Sequence, residues 1–376
     1  MSGTAMLSRR SFLGAACASA ASLALFGLTG CGGSGTSHAA TAGSADPDTI
    51  FVANIGHLNS TAHLLAFIAK EEGFFDEENI DATLVECKSG KQLVAGLENG
   101  KLQVAFIGSV PTLSSIAAGH EISIFGGAMS NGHGYVINSS YTKGLETWDA
   151  SILKGRTVAV PRTTIQELEL YVVCEELGMT CGEDAANDVR VVYYESQQKA
   201  YEAFSKGKTD ACSTYSPYMS IAKAEGHSVV FACGGEELFE NQPCCRVVAP
   251  DADLAINPAR YVAFERALIK AYAFYKDPDN EKKVVNDIKA YVDIPKRLIR
   301  QEVFSPGYCD SSPDPDKRAT AKVKERALRV GCVSSDFDLD AHFNTELYAQ
   351  ALDSLMEEEP SNEYYTQLKG HFSTYE

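Results

Sequence analysis

The sequence is short of the signatures that announce chemistry. Across 376 residues it holds no H-E-x-x-H, no phosphate-binding loop of the Walker type and no nucleophile elbow, so the enzyme classes those motifs carry find no support. No C-x-x-C occurs among the 11 cysteines, which removes the usual zinc and thioredoxin-like motifs. Basic blocks are missing too. With 33 Lys plus Arg against 50 Asp plus Glu the formal charge is −17, and nucleic acid is set aside as a partner. Extremes of composition are absent as well: 45% hydrophobic and 22% charged residues exclude collagen-like, coiled-coil and wholly disordered chains. What remains is a globular composition, at a length that suggests two domains.

The N-terminus is the first informative stretch. Ser8-Arg9-Arg10-Ser11-Phe12-Leu13 is a twin-arginine pair, followed by an apolar run through Ala15, Leu23, Leu25, Phe26 and Leu28 that suits an export signal better than a membrane span. It ends in Leu28-Thr29-Gly30-Cys31, which resembles the lipobox of bacterial lipoproteins. Residues 1–30 are therefore expected to be a signal peptide, with a lipid anchor on Cys31 and a flexible Gly/Ser/Ala/Thr tether over 31–49. Such a protein is exported and held at the extracytoplasmic face of the cell membrane. Loss of residues 1–30 leaves 31 Lys plus Arg against 50 acids, a mature charge of −19. Nine cysteines other than Cys17 and Cys31 remain, an odd number, so at least one thiol stays unpaired.

From Ile50 the pattern alternates between strand and helix. Ile50–Ile55 reads as a strand and Leu64, Leu65 and Ile68 keep helical spacing, with Asn59, Ser60 and Thr61 as capping residue types between them. Strands follow at 82–86, 103–107, 122–125 and 132–137, then a pause at Asn138–Trp148, and a second series at 157–160, 189–193, 210–212 and 229–232. Apolar strands between amphipathic segments argue for parallel sheets covered on both faces. Two sheet units with a strand near Cys245-Arg246-Val247-Val248 returning to the first suggest two lobes joined by more than one crossing. Lobe 1 is assigned residues 50–139 plus 246–376, and lobe 2 residues 140–245. Helices at 261–275, 281–292 and 343–356 are expected to wrap lobe 1.

Ligands of open α/β sheets bind outside the carboxyl ends of the strands. One wall of the expected cleft then carries His57, Leu58, Asn59, Ser60 and Thr61, with Lys91 and Gln92, with Ser109, Pro111 and Thr112, and with Asn131 and His133. The other carries Arg162, Thr163 and Thr164, Ser196, Tyr215 and Tyr218. Arg162 is read as a bidentate anion clamp and the tyrosines as aromatic walls. Cys244, Cys245 and Arg246 are placed at the hinge, strand alternation putting Cys244 and Arg246 together on a face that could be the cleft. For the adjacent thiols a strained vicinal disulfide, joint metal ligation and simple burial all stay open. His57 and His133 have no third ligand nearby in sequence, so no metal is expected.

These segments resemble a family. Gly56-His57-Leu58, Phe67-Ile68-Ala69-Lys70-Glu71-Glu72-Gly73-Phe74-Phe75, Leu97 to Gly108 and Leu153 to Pro161, in that order, are similar to substrate-binding proteins of ABC importers in the nitrate, sulfonate, taurine and bicarbonate group. The resemblance spans roughly residues 50–290. It implies a two-lobed, type II-like periplasmic-binding-protein fold of α/β class with a hinge and a helical C-terminal segment. It further implies a non-catalytic, monomeric receptor, without cofactor, that closes on a small polar or anionic solute and delivers it to an ABC permease and its ATPase. A pyrimidine-forming or pyrimidine-binding protein of the same fold and a surface sensor without a transport partner are the alternatives.

Overall fold

The computed structural model describes residues 50–305 and 308–375. The export signal, the lipidation at Cys31 and the tether lie outside the described residues. In chain order the strands are β1 (Phe51–Leu58), β2 (Ile80–Cys87), β3 (Val104–Gly108), β4 (Ile122–Asn131), β5 (His133–Ile137), β6 (Arg156–Pro161), β7 (Cys181–Gly182), β8 (Val189–Tyr194), β9 (Ala211–Tyr215), β10 (Ser228–Ala232), β11 (Pro243–Pro250) and β12 (Cys309–Ser311). They form two six-stranded sheets, ordered β12-β4-β11-β3-β1-β2 and β10-β5-β9-β6-β8-β7. Each sheet is the centre of one lobe, as expected.

Local chemistry explains why the strand-to-helix corners form. Ser60, Ser89, Thr164 and Ser196 each accept a backbone N–H at the helix start that follows them. At Thr164 the Glu167 carboxylate also reaches back to the Thr163 N–H, a capping box shifted by one residue. The central strand β3 is apolar because it lies between β1 and β11 with helices above and below it.

Two assignments need correction. β5, placed in lobe 1 by the sequence, pairs antiparallel with β9 and β10 in the second sheet, and β11 is already in the first sheet at Pro243 rather than from residue 246. The crossings therefore fall at Asn131-Gly132 and just before Pro243. A five-residue apolar strand carries no mark of which sheet it will join, because its partners are distant in the chain. Nor are the sheets wholly parallel. β11 runs antiparallel to both β3 and β4, and β5 antiparallel to β9, while β1, β2 and β3 and likewise β6, β7, β8 and β9 keep the expected parallel pairing.

The two crossings touch. Asn131 donates its N–H to the Gln242 carbonyl at 2.9 Å, and Asn131, Gly132 and Asn241 all sit at positive φ, +61°, +74° and +51°. Gly132 takes its positive φ without strain, and a Cβ there would crowd the Tyr308 carbonyl oxygen at 3.1 Å and push the end of Met129 aside.

The helical C-terminal segment packs on lobe 1. Tyr291, at the end of helix Glu281–Tyr291, stacks on Phe67 with ring centroids 4.8 Å apart and donates to Glu71 at 2.6 Å. Arg266 of helix Pro258–Lys276 joins Glu78 at 2.8 Å and Glu358 at 3.0 Å. Among the described residues no helix is long and apolar enough to cross a membrane.

Asp287, on the same helix as Tyr291, is buried, and that burial, with Glu72 and Glu71 adding to it, pushes its carboxyl up to about 7. A raised carboxyl is protonated in the fold while the unfolded chain is already ionised. Its contribution to stability is therefore fully present below 3.8 and is lost as pH rises to about 7. Asp287→Asn is expected to gain on the parent protein across that window, by on the order of 1 kcal/mol, and by a constant amount above it. Urea midpoints at several pH values read this directly, and a pH-independent difference would remove the argument.

Candidate functional site

The carboxyl ends of β1, β2 and β3 and the start of β11 face the end of β9. Tyr215, the last residue of β9, reaches from the second sheet into electrostatic range of Cys244, Cys245 and Glu86 of the first, and burial raises its phenol well above the usual range. Tyr218 packs edge-on against it, centroids 5.5 Å apart, and is pushed up to about 12. These two rings are the aromatic surface between the lobes.

Beside them the loop after β1 is tied to the second lobe. Ser60 Oγ donates to the Ser216 carbonyl at 2.7 Å, Thr61 Oγ1 bonds Ser216 Oγ, and Ser216 Oγ donates in turn to Glu302. Glu302, from helix Lys296–Phe304, also accepts the Ser220 N–H at 3.2 Å, and burial raises its carboxyl. Thr61, Ser216 and Glu302 thus form a buried chain of hydrogen bonds across the two lobes.

Bulges in β11 rearrange the adjacent cysteines. Its register against β4 shifts both between Pro243 and Cys245 and between Cys245 and Arg246, which breaks simple alternation. The two sulfurs consequently lie 3.3 Å apart as thiols, not on opposite faces, and all nine described cysteines are unpaired. Cys245 is the more acidic of the two: the Cys244 thiol donates to it, and the imidazoles of His63 and His133 oppose the effect of burial. His63 accepts the Leu58 N–H at 3.1 Å and stands against the Phe106 ring.

The expected residues divide into groups. Ser60, Thr61, Tyr215, Tyr218, Cys244 and Cys245 converge between the lobes, with Leu58 and Asn59 half-buried beside them. Ser109 and Thr112 lie at the same end of the first sheet, but their hydroxyls are engaged with the Pro243 and Gly108 carbonyls, and Pro111 fills the space beside Gly108. Lys91 and Gln92 are exposed at the rim. Thr163, Thr164 and Ser196 hold helix starts. Arg162 is more than half exposed, stacks on Tyr193 at 3.7 Å from the ring centroid and pairs with Glu183 at 3.0 Å.

Three expectations are overturned, the first being His133, which opens β5 in the second sheet and is fully buried instead of lying in a loop of the first wall. Arg246 does not share the cleft with Cys244: it is 1% exposed and donates to the Cys245 and Met129 carbonyls and to Thr320, beside Asp314 and Asp316. The β11 bulges turn it into lobe 1. His57 likewise packs into the core, its ring 5.1 Å from Phe67 and 5.9 Å from Tyr291, and burial lowers it to about 4. It belongs to the strand that continues through Leu58, not to a loop.

Sequence reasoning missed His63, Ser216, Glu302 and a further buried group, Glu169, Cys233 and Gln242, that gathers around His133. His63 was the one with a signal, lying within the short helical turn that the Ser60 cap begins. Away from the cleft, a groove of about 640 Å³ on helix Lys317–Arg329 has its lysines matched, Lys317 to Asp340 at 2.8 Å and Lys324 to Asp336 at 2.6 Å.

Known proteins share this architecture. The structure is similar to that of the nitrate-binding protein NrtA from Synechocystis PCC 6803, with a TM-score of 0.70 at 16% identity over 81% of this chain and 89% of that one. It is similar also to the alkanesulfonate-binding protein SsuA from Xanthomonas axonopodis pv. citri, with a TM-score of 0.65 at 16% identity over 78% and 98% of the two chains. In sequence it is 28% identical, over 69% of this chain and 75% of the other, to a Bacillus subtilis (strain 168) protein named as binding aliphatic sulfonates. It is 24% identical, over 73% and 81%, to a 4-amino-5-hydroxymethyl-2-methylpyrimidine phosphate synthase of Aspergillus parasiticus. The two sheets thus form the periplasmic-binding-protein fold. The NMT1-like family profile matches residues 51–289, most of the described fold, and the chain belongs to the NMT1-like family.

Proposed function

We propose that this protein is an extracytoplasmic solute-binding lipoprotein that captures a small polar or anionic solute between its lobes and delivers it to an ABC permease. The observation that carries the reading is the end of β9, Tyr215 and Ser216, held by Ser60 and Thr61 against the strand ends of the other lobe, in a fold whose named relatives bind nitrate and sulfonates. Closure buries the solute against the two tyrosines, and the permease reads the closed state. Because Arg246 faces the core and Arg162 is matched by Glu183, an anion is held chiefly by backbone N–H groups, hydroxyls and the ends of helices, not by a guanidinium clamp. Anchorage through Cys31 keeps the receptor at the membrane surface.

A panel of nitrate, bicarbonate, taurine, alkanesulfonates and pyrimidine precursors, read by thermal shift on the purified protein, tests this. One member is expected to raise the melting temperature and to reduce the radius of gyration by scattering. If nothing in the panel does either, the reading loses its support. The Aspergillus relative and the neighbouring Cys245 and His63 favour a second reading as a pyrimidine-forming enzyme. Conversion of a precursor, as opposed to its reversible binding, decides for that alternative.

A further inference from the structure

Behind the cleft, three side chains from three separate elements meet. His133 opens β5, Glu169 lies within helix Ile165–Glu176, and Cys233 begins the short turn after β10. Each is 0% exposed. Their ligand atoms all lie within 4.8 Å of one another, and His133 Nδ1 stands 2.9 Å from Glu169 Oε1.

We propose that His133, Glu169 and Cys233 form a binding site for a divalent transition-metal ion of the zinc class. The donor set selects the metal: imidazole and thiolate suit zinc, cobalt or ferrous iron, whereas calcium and magnesium take oxygen ligands. Charge supports the same choice. A thiolate and a carboxylate cancel a dication, leaving a neutral site where water is excluded. Size is compatible as well, since metal–ligand bonds of about 2.0–2.3 Å give tetrahedral edges of about 3.3–3.8 Å, within reach by small side-chain rotations.

The protein around the trio is arranged like an outer shell. Gln242 Nε2 donates to Glu169 Oε1 at 2.7 Å, and Arg326 donates to Gln242 Oε1 at 2.7 Å, so the carboxylate is oriented from behind. Two atoms are left over: His133 Nε2 and Glu169 Oε2 are buried without a hydrogen-bond partner. Such groups cost about 1–3 kcal/mol each when unsatisfied, and metal coordination, directly or through rotation of the ring, removes that cost. Burial and the adjacent Glu169 hold the Cys233 thiol well above its ordinary range. On binding, the Sγ–H bond breaks, its proton passes to solvent, and an Sγ–metal bond forms.

Cobalt titration of the purified, chelator-treated protein tests the assignment. One Co²⁺ per chain is expected, with a thiolate-to-cobalt charge-transfer band in the near ultraviolet. In Cys233→Ser the band disappears and affinity falls at least about tenfold, whereas Cys245→Ser keeps both. Absence of binding overturns the proposal. So does a band that survives Cys233→Ser, or binding without a thiolate band. Should Cys233→Ser fail to fold, Glu169→Gln serves in its place: at least about tenfold weaker cobalt binding supports the site, and unchanged affinity rejects it.

Discussion

Arg246→Ala is expected to cost about 3–5 kcal/mol of folding free energy and to leave the solute affinity of the folded protein unchanged. The guanidinium is among the largest fully buried side chains, and its removal opens a cavity while stripping donors from the Cys245 and Met129 carbonyls. Asp314 and Asp316, 3% and 7% exposed, lose the cation they face. Arg246→Lys keeps the charge but not the fork, and should recover only part of the loss. Urea denaturation gives the stability and calorimetry the affinity. A normal midpoint together with a lost solute response would return Arg246 to the cleft wall.

Glu302→Ala is expected to be the most damaging change between the lobes. It leaves Ser216 Oγ and the Ser220 N–H without an acceptor in a buried position, at about 2–4 kcal/mol. Because that chain of hydrogen bonds joins Thr61 of one lobe to Ser216 of the other, scattering should show a larger radius of gyration before unfolding begins. Glu302→Gln keeps an oxygen acceptor and should be mild. Burial raises Glu302, so its stabilising contribution is complete at low pH and is lost as pH rises through its shifted value. The glutamine, fixed neutral, therefore gains on the parent protein with rising pH. Equal loss in both variants would mean that Glu302 acts by filling space.

What the sequence disclosed follows from how local each determinant is. Strands such as β3 and β8 are apolar or alternating runs, the cap at Ser60 precedes its helix, and these were legible residue by residue. The sheet that β5 joins was not, because antiparallel pairing with β9 is fixed by partners far along the chain. Nor was the position of Arg246, since period-two alternation assumes a regular strand and β11 is bulged on either side of Cys245. The chain from Thr61 to Glu302 was hidden for the same reason: Ser216 and Glu302 are 86 residues apart, and no spacing rule connects them. His133 and Glu169, 36 residues apart, escaped metal-motif reasoning, which depends on ligands clustered in sequence.

The place of β11 in the first sheet bears on how the chain is made. Every strand of the second sheet lies between His133 and Ala232, so that lobe has all its partners once this continuous stretch has left the ribosome. The first sheet has a gap between β3 and β4 until Pro243–Pro250 arrives, and β1, β2, β3 and β4 must wait, unpaired across that seam, through the synthesis of the entire other lobe. The earliest-made lobe is therefore the last to be completed, and during that interval its apolar strand edges are the part of the nascent protein that most needs shielding.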